Sequence, residues 1–252
     1  AGFDAIELCP NYHAISTFSA RNRKRSQFYS EQGAVYFPAR LERYGRIKPR
    51  VFDEPEVLQA YGTASGEVGS RGMELNAWVI GMFQPWMARR YPDAAIENAF
   101  GHRSYAQTCP ASPDVQEYLA ALVGDACDQF NISGATLESV GHPPFAYGWV
   151  RERILINMSA WTKFLAGLCF CENCMSAARA HGVDPSTVRA SVAKELRDRI
   201  NNSVDDPPEN DVAATATERS SRDELFRGFL EARDQTAVAI VKSVWRALRH
   251  TR

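Results

Sequence analysis

A chain of 252 residues, 45% apolar and 23% charged, has the size and composition of a single soluble domain with a sizeable core. Its formal net charge of −1 gives no electrostatic reason to expect nucleic acid or an anionic membrane as a partner. No window approaches the roughly 18 consecutive apolar residues of a membrane span. No signal peptide precedes the fold, so a cytoplasmic location is expected. The chain opens mid-pattern without an initiator Met, which leaves an earlier start or a removed export signal open. The basic run Arg21, Arg23, Lys24 and Arg25 reads as a solvated loop.

In chain order, Phe3 to Leu8 reads as a first strand. The polar and aromatic excursion from Ala14 to Pro49 is too long for a plain connecting loop, so it is expected to be functional. Asp53-Glu54-Pro55 looks like a helix start with Pro in the first turn, and that helix is expected to reach about Arg71. Leu75 to Phe83 is nearly continuous and apolar, as a parallel strand covered on both faces would be. A short helical turn at Met87 to Tyr91 leads to a weaker third strand over Ala94 to Ala99. An amphipathic helix is predicted from Val115 to Phe130, with Tyr118, Leu119, Leu122, Val123 and Ala126 on one face. Ile132 to Glu138 is the fourth strand.

Beyond it the pattern becomes helical: Arg153 to Cys174, Pro185 to Ile200, and one long helix from Asp223 to Arg252. Between the last two, Asn201 to Ser221 is polar and reads as a mobile loop. Strands alternating with helices imply right-handed parallel βαβ units. About four strands cannot close an eight-stranded barrel, so the expectation is the N-terminal half of a (β/α)8 TIM barrel plus an extended helical segment, in one domain over 1–252. Half a barrel exposes two sheet edges, which favours aggregation or a homo-oligomer.

Six cysteines are too few for a disulfide scaffold, and three of them fall within six residues. Cys169-Phe170-Cys171-Glu172-Asn173-Cys174 is a C-x-C-x-x-C turn whose thiolates can converge on one tetrahedral Zn2+. A fourth ligand must come from elsewhere, and Cys109, just before a helix, suits that role. The competing reading is buried cysteines acting as small hydrophobes.

The order Cys109-Pro110-Ala111-Ser112-Pro113, then a strand ending in Glu138, then the cysteine turn resembles family-forty-two β-galactosidases over about residues 95–185. The whole chain is also similar to glycosyl-hydrolase-like bacterial barrels. The resemblance implies that Cys109, Cys169, Cys171 and Cys174 hold a structural zinc beside the active face, and that Glu138 is the acid/base. The chain departs from that family at Leu137, where the family carries Asn, and in a longer interval from Glu138 to the cysteines. The resemblance also puts the nucleophile on a strand beyond Arg252.

Barrel enzymes place their chemistry at the C-terminal ends of strands. Those ends offer Asn11 and His13, Gln84 and Trp86, Asn98 and His102, and Glu138 and His142. Glu138 is the candidate acid, since a carboxyl among apolar neighbours at a strand end can have its pKa raised. Asn11, His13, Trp86, Asn98 and His142 are candidates for binding sugar hydroxyls and ring faces, with Tyr12 and Tyr147 as further aromatic candidates. Glu7 and Glu97 lie inside their strands and suit salt bridges instead. The expected function is a glycoside hydrolase with a carbohydrate substrate. The alternatives are a metal-dependent sugar isomerase-like barrel and a non-catalytic carbohydrate-binding barrel.

Overall fold

A computed structural model describes residues 2–145, 158–201 and 211–250. The strands and helices, in chain order, are β1 (Ala5–Leu8), β2 (Ile15–Phe18), β3 (Gln27–Ser30), β4 (Ala34–Val35), β5 (Arg50–Val51), α1 (Pro55–Ser70), β6 (Glu74–Ile80), α2 (Pro85–Arg90), β7 (Ala95–Glu97), β8 (Arg103–Thr108), α3 (Pro113–Phe130), β9 (Gly134–Glu138), α4 (Ala160–Ala166), α5 (Glu172–Ala180), α6 (Pro185–Asn201), α7 (Val212–Arg222) and α8 (Glu224–His250). The chain forms two compact units. One comprises Ala1–Trp86, Pro113–Val140 and Ile240–Arg252; the other comprises Met87–Ser112 and Gly141–Ala239. Among the described residues no helix is long and apolar enough to cross a membrane.

In the first unit β1, β6 and β9 form a parallel sheet in the order β1-β6-β9. Side chains alternate across it. Leu75, Ala77 and Val79 are buried on the face where α1 and α3 pack on β6. The register Glu7↔Asn76↔Gly134, Trp78↔Thr136 and Ile80↔Glu138 puts Glu7, Asn76, Trp78, Thr136 and Glu138 together on the opposite face. Helix α3 buries Tyr118, Leu119, Leu122, Val123 and Ala126, the stripe expected from its periodicity, together with Val115.

The long excursion is folded, and local pairing explains how. β2 and β3 make an antiparallel hairpin, and β4 pairs in parallel with β5. The stretch after β4 is pinned by Asp125 on α3, a fully buried carboxylate that accepts from the backbone N–H of Arg40 at 2.8 Å and the Gln129 amide at 2.9 Å.

The second unit departs from the expected pattern at three places. The third strand does not join the parallel sheet. Its residues Ala95–Glu97 pair antiparallel with Arg103–Thr108, because the chain reverses between them. The reversal has a local cause: the side chain of Asn98 accepts from the N–H groups of Phe100 and His102, and Gly101 takes a φ of +87°.

The helix expected over Arg153 to Cys174 starts outside the described residues and is not continuous within them. α4 ends at Gly167, where a Cβ would come within 2.8 Å of the Phe145 backbone nitrogen. The chain then runs alongside β7, with Phe170 N–H donating to the Glu97 carbonyl at 2.6 Å, before α5 begins.

The polar loop expected over Asn201 to Ser221 is in part a helix. Residues 202–210 lie outside the described residues, but 212–222 form α7. Asp211 caps it by accepting from Ala214 N–H at 2.9 Å, and Arg219 ties it to Glu195 of α6 at 2.6 Å. The core of this unit is built from Trp161, Leu165, Phe170, Leu196, Phe226 and Phe229.

Candidate functional site

Two clusters of chemically capable side chains stand out, one in each unit. The first is the open face of the parallel sheet. Glu138 ends β9. Its Oε2 accepts from Trp78 Nε1 at 3.0 Å, and its Oε1 lies 3.6 Å from His13 Nε2. The backbone sets this position. The Gly81 N–H donates to the Glu138 carbonyl at 2.7 Å and the Met82 N–H to that of Ser139 at 2.8 Å. A Cβ on Gly81 would sit 2.8 Å from both carbonyl oxygens. Ser139, immediately after the carboxylate, has a φ of +57°, a left-handed conformation that costs a non-glycine residue energy.

His13 packs edge-on against Phe83 with ring centroids 5.0 Å apart, and also touches Tyr12. Glu7 accepts a hydrogen bond from Thr136 on the same face. Cys9 belongs to this neighbourhood too. Burial pushes its thiol up to about 11, with the negative charges of Glu138 and Glu7 adding to the effect. Beside β1 opens a cleft of about 440 Å3 lined by Cys9, Tyr12, Phe28, Tyr36, Tyr61 and Trp78 among others. A groove of about 830 Å3 shares Thr17 and Phe28 with it and adds Ser19, Asn22, Lys24 and Arg25. The basic run thus borders a groove, and Arg25 is paired with Glu54 there.

The second cluster is Cys109, Cys169, Cys171 and Cys174. All four are buried, none is in a disulfide, and their sulfurs lie within 4.8 Å of one another. Cys109 follows β8, while the other three form the turn that opens α5, with Cys171 at its N-cap. The Cys109–Cys174 and Cys169–Cys109 sulfur separations are 3.3 and 3.8 Å. Four thiolates about 2.3 Å from a tetrahedral ion would be ~3.8 Å apart. The Glu97 and Ala111 N–H groups point at Cys169 and Cys109 sulfurs at 3.4 Å. Hydrogen bonds from the other three thiols drive the Cys171 pKa well down, so it is the sulfur held most readily as thiolate. These four residues form a group that can hold a metal ion, and it is the one such group among the described residues.

The remaining expected site residues fall in different places. Asn11 is buried, and its amide bonds both ways with Ile80, donating to the carbonyl at 3.3 Å and accepting from the N–H at 3.2 Å. Trp86 lies against Gly33 and Tyr118, with its indole N–H donating to Gln84. Both help assemble the first unit. Asn98 and His142 belong to the second unit. Asn98 shapes the hairpin turn. His142 Nε2 is 3.0 Å from Thr236 Oγ1, and burial, with the charge of Arg233, lowers its pKa to about 3 and keeps it neutral. Tyr147 lies outside the described residues. Glu97 is ion-paired with Arg189 at 3.1 Å and Arg103 at 3.5 Å.

No protein-family profile matches the chain, and no curated protein matches it. Among solved structures, the α-L-fucosidase isoenzyme 2 from Paenibacillus thiaminolyticus is similar over 81% of this chain, with 15% identity and a TM-score of 0.44. The chain spans about a quarter of that protein, 26% of its length. A likeness this slight transfers neither fold nor activity.

Sequence reading passed over Trp78, Thr136 and Cys9. Parity could have found Trp78: it alternates with Leu75, Ala77 and Val79, so it must face away from the helices, towards the carboxylate two residues past its strand partner.

Proposed function

We propose that the chain is a sugar-active segment of a (β/α)8-barrel glycoside hydrolase, with Glu138 as its general acid and zinc held by the four cysteines as a structural ion. The observation that carries this reading is the placement of Glu138. It stands at the C-terminal end of a parallel strand, held by an indole N–H and a histidine, on an open face that also carries Glu7. Parallel order and the packing of α1 and α3 against β6 support the barrel assignment.

Chemically, a protonated Glu138 would deliver its proton to the glycosidic oxygen as the bond to the sugar carbon breaks. A second carboxylate must act as nucleophile or base. Glu7 is the carboxylate of β1 that shares the face. The aromatic cleft beside β1 suits the apolar faces of sugar rings, and the hydroxyl-rich groove next to it suits their polar edges.

The cysteine set fits zinc better than a redox pair, since four sulfurs close a tetrahedron and leave no open position for catalysis. Its part is to fix the end of the β7–β8 hairpin to the start of α5.

The test is turnover of a panel of aryl glycosides by the purified chain and by Glu138→Gln. Activity that falls about 10²- to 10⁴-fold in the variant is expected for a general acid. Sugar binding without turnover, unchanged by Glu138→Gln, would replace this reading with a carbohydrate-binding module.

A further inference from the structure

Helix α8 runs past the cysteine cluster. Phe229 stacks on Phe170 with ring centroids 4.9 Å apart and planes 16° from parallel, and Phe170 is the residue between Cys169 and Cys171. One helical turn further, on the same side of α8, stands Arg233. Its Nε is enclosed and has no hydrogen-bond partner among the described residues. The next polar residue along that side, Thr236, donates to the Arg233 carbonyl at 2.7 Å and lies 3.0 Å from His142 Nε2. His142 Nδ1 is the other enclosed side-chain atom without a partner among the described residues. Both unpaired atoms therefore belong to one small polar patch joined through Thr236, one turn along α8 from the Phe229 that stacks on the residue between Cys169 and Cys171.

A guanidinium in such a place is costly unless a negative charge faces it. Burial lowers the Arg233 pKa from the ordinary guanidinium value. The exposed Asp234 next to it, then Cys174, Cys169 and Cys109, act in the opposite direction. Asp234 supplies the largest part of that charge, and four neutral thiols add none to it. Four thiolates around a divalent ion would carry about two net negative charges, and outer groups that offset such charge tune how firmly the metal is held.

We propose that Arg233 is the positioning cation of the four-cysteine metal centre: it offsets part of the thiolate charge and fastens helix α8 to the metal. This rests on the reading that the cysteines bind a divalent ion. The ion then joins three segments, the end of the β7–β8 hairpin, the turn before α5, and α8.

Two measurements on the full chain test it. In the first, zinc release into excess chelator is timed for wild type, for Arg233→Met, and for Phe229→Leu, which loosens packing without touching charge. Arg233→Met is expected to release zinc about 10- to 100-fold faster, and Arg233→Lys to recover most of that loss. With cobalt in place of zinc, the thiolate-to-metal absorption band should move in Arg233→Met and stay put in Phe229→Leu. A folded Arg233→Met that releases zinc within about twofold of the wild-type rate, or a Phe229→Leu equally fast, would overturn the proposal. In the second, which needs no variant, stripping zinc from wild type should lower hydrogen-exchange protection around residues 229–236 of α8, and unchanged protection there would overturn it. Wild type that takes up no metal at all sinks the zinc reading itself, and shows this before any variant is made.

Discussion

The indole N–H of Trp78 and the carboxylate of Glu138 meet at 3.0 Å across two neighbouring parallel strands, two rungs apart on one face of the sheet. The bond fixes one oxygen of the carboxylate, while the indole ring lines the cleft beside β1 and meets Tyr12 edge-on. Trp78→Phe keeps the ring in the cleft and deletes the donor. If Glu138 is the general acid proposed above, the expected result is a fall in kcat of roughly tenfold with KM little changed, because a misaimed acid slows proton delivery more than it weakens binding. An unchanged kcat with a raised KM would mean that Trp78 only binds sugar.

Cys9 gives a readout of the same carboxylates that requires no substrate. Its thiol is raised from 9.0 to about 11 by burial first, then by Glu138 and Glu7. The folded chain therefore holds this proton more tightly than the unfolded chain. The stabilisation is present below pH 9 and is lost as pH rises towards 11. Alkylation of Cys9 by iodoacetamide, followed by peptide mass spectrometry, should stay slow at pH 8 and climb only well above pH 9. In Glu138→Gln the climb should begin at lower pH, since one of the repelling charges has gone. A Cys9 that alkylates at pH 8 as fast as a free thiol would contradict the placement of these groups.

What could be read from the sequence divides along physical lines. Periodic apolar patterns report burial, so the parallel strands at Ala5–Leu8, Glu74–Ile80 and Gly134–Glu138, and the helices α1, α3, α6 and α8, were legible. The sequence marks residues 95–97 as a strand but does not reveal their partner, the antiparallel β8. Their pairing is decided by the turn at Asn98–His102, and a side-chain-to-backbone turn leaves no mark in hydropathy. Helix α7 was hidden because Val212–Arg222 buries no residue fully and depends on the Asp211 cap and the Arg219–Glu195 pair. The cysteine group was legible because clustered thiols have few other uses, and the structure brings all four together. At the sheet face, strand ends pointed to Glu138 and His13. They also pointed to Asn11 and Trp86, whose polar atoms are taken up by Ile80 and Gln84. Sequence position shows which residues lie near a strand end; it does not show which of their hydrogen bonds are already made.

Gly81 tests how tightly the strand end is built. An added methyl at this position meets the carbonyl oxygens of Glu138 and Ser139 at 2.8 Å and a methyl of Val140 at 3.0 Å. None of these is the free end of a flexible side chain, so the β9 terminus must move. Gly81→Ala should cost about 1–3 kcal/mol by urea denaturation. It should also slow turnover, because the carboxylate moves with its own backbone. A variant as stable as wild type would show that this end of β9 yields easily.

The cysteine group makes the last prediction. Cys171 sits at the N-cap of α5 and is approached by all three other thiols, so its loss removes both one ligand and the sulfur most easily ionised. Cys171→Ser leaves a hydroxyl, a poor ligand beside three soft sulfurs. Metal analysis should fall from about one zinc per chain in wild type to well below that in the variant. Because a metal held by these four sulfurs would link the hairpin end to α5, thermal unfolding of the variant should begin several degrees lower, and chelator treatment should bring wild type down to the same temperature while leaving the variant unchanged. Metal-free wild type with undiminished thermal stability would return the four cysteines to the role of buried apolar packing.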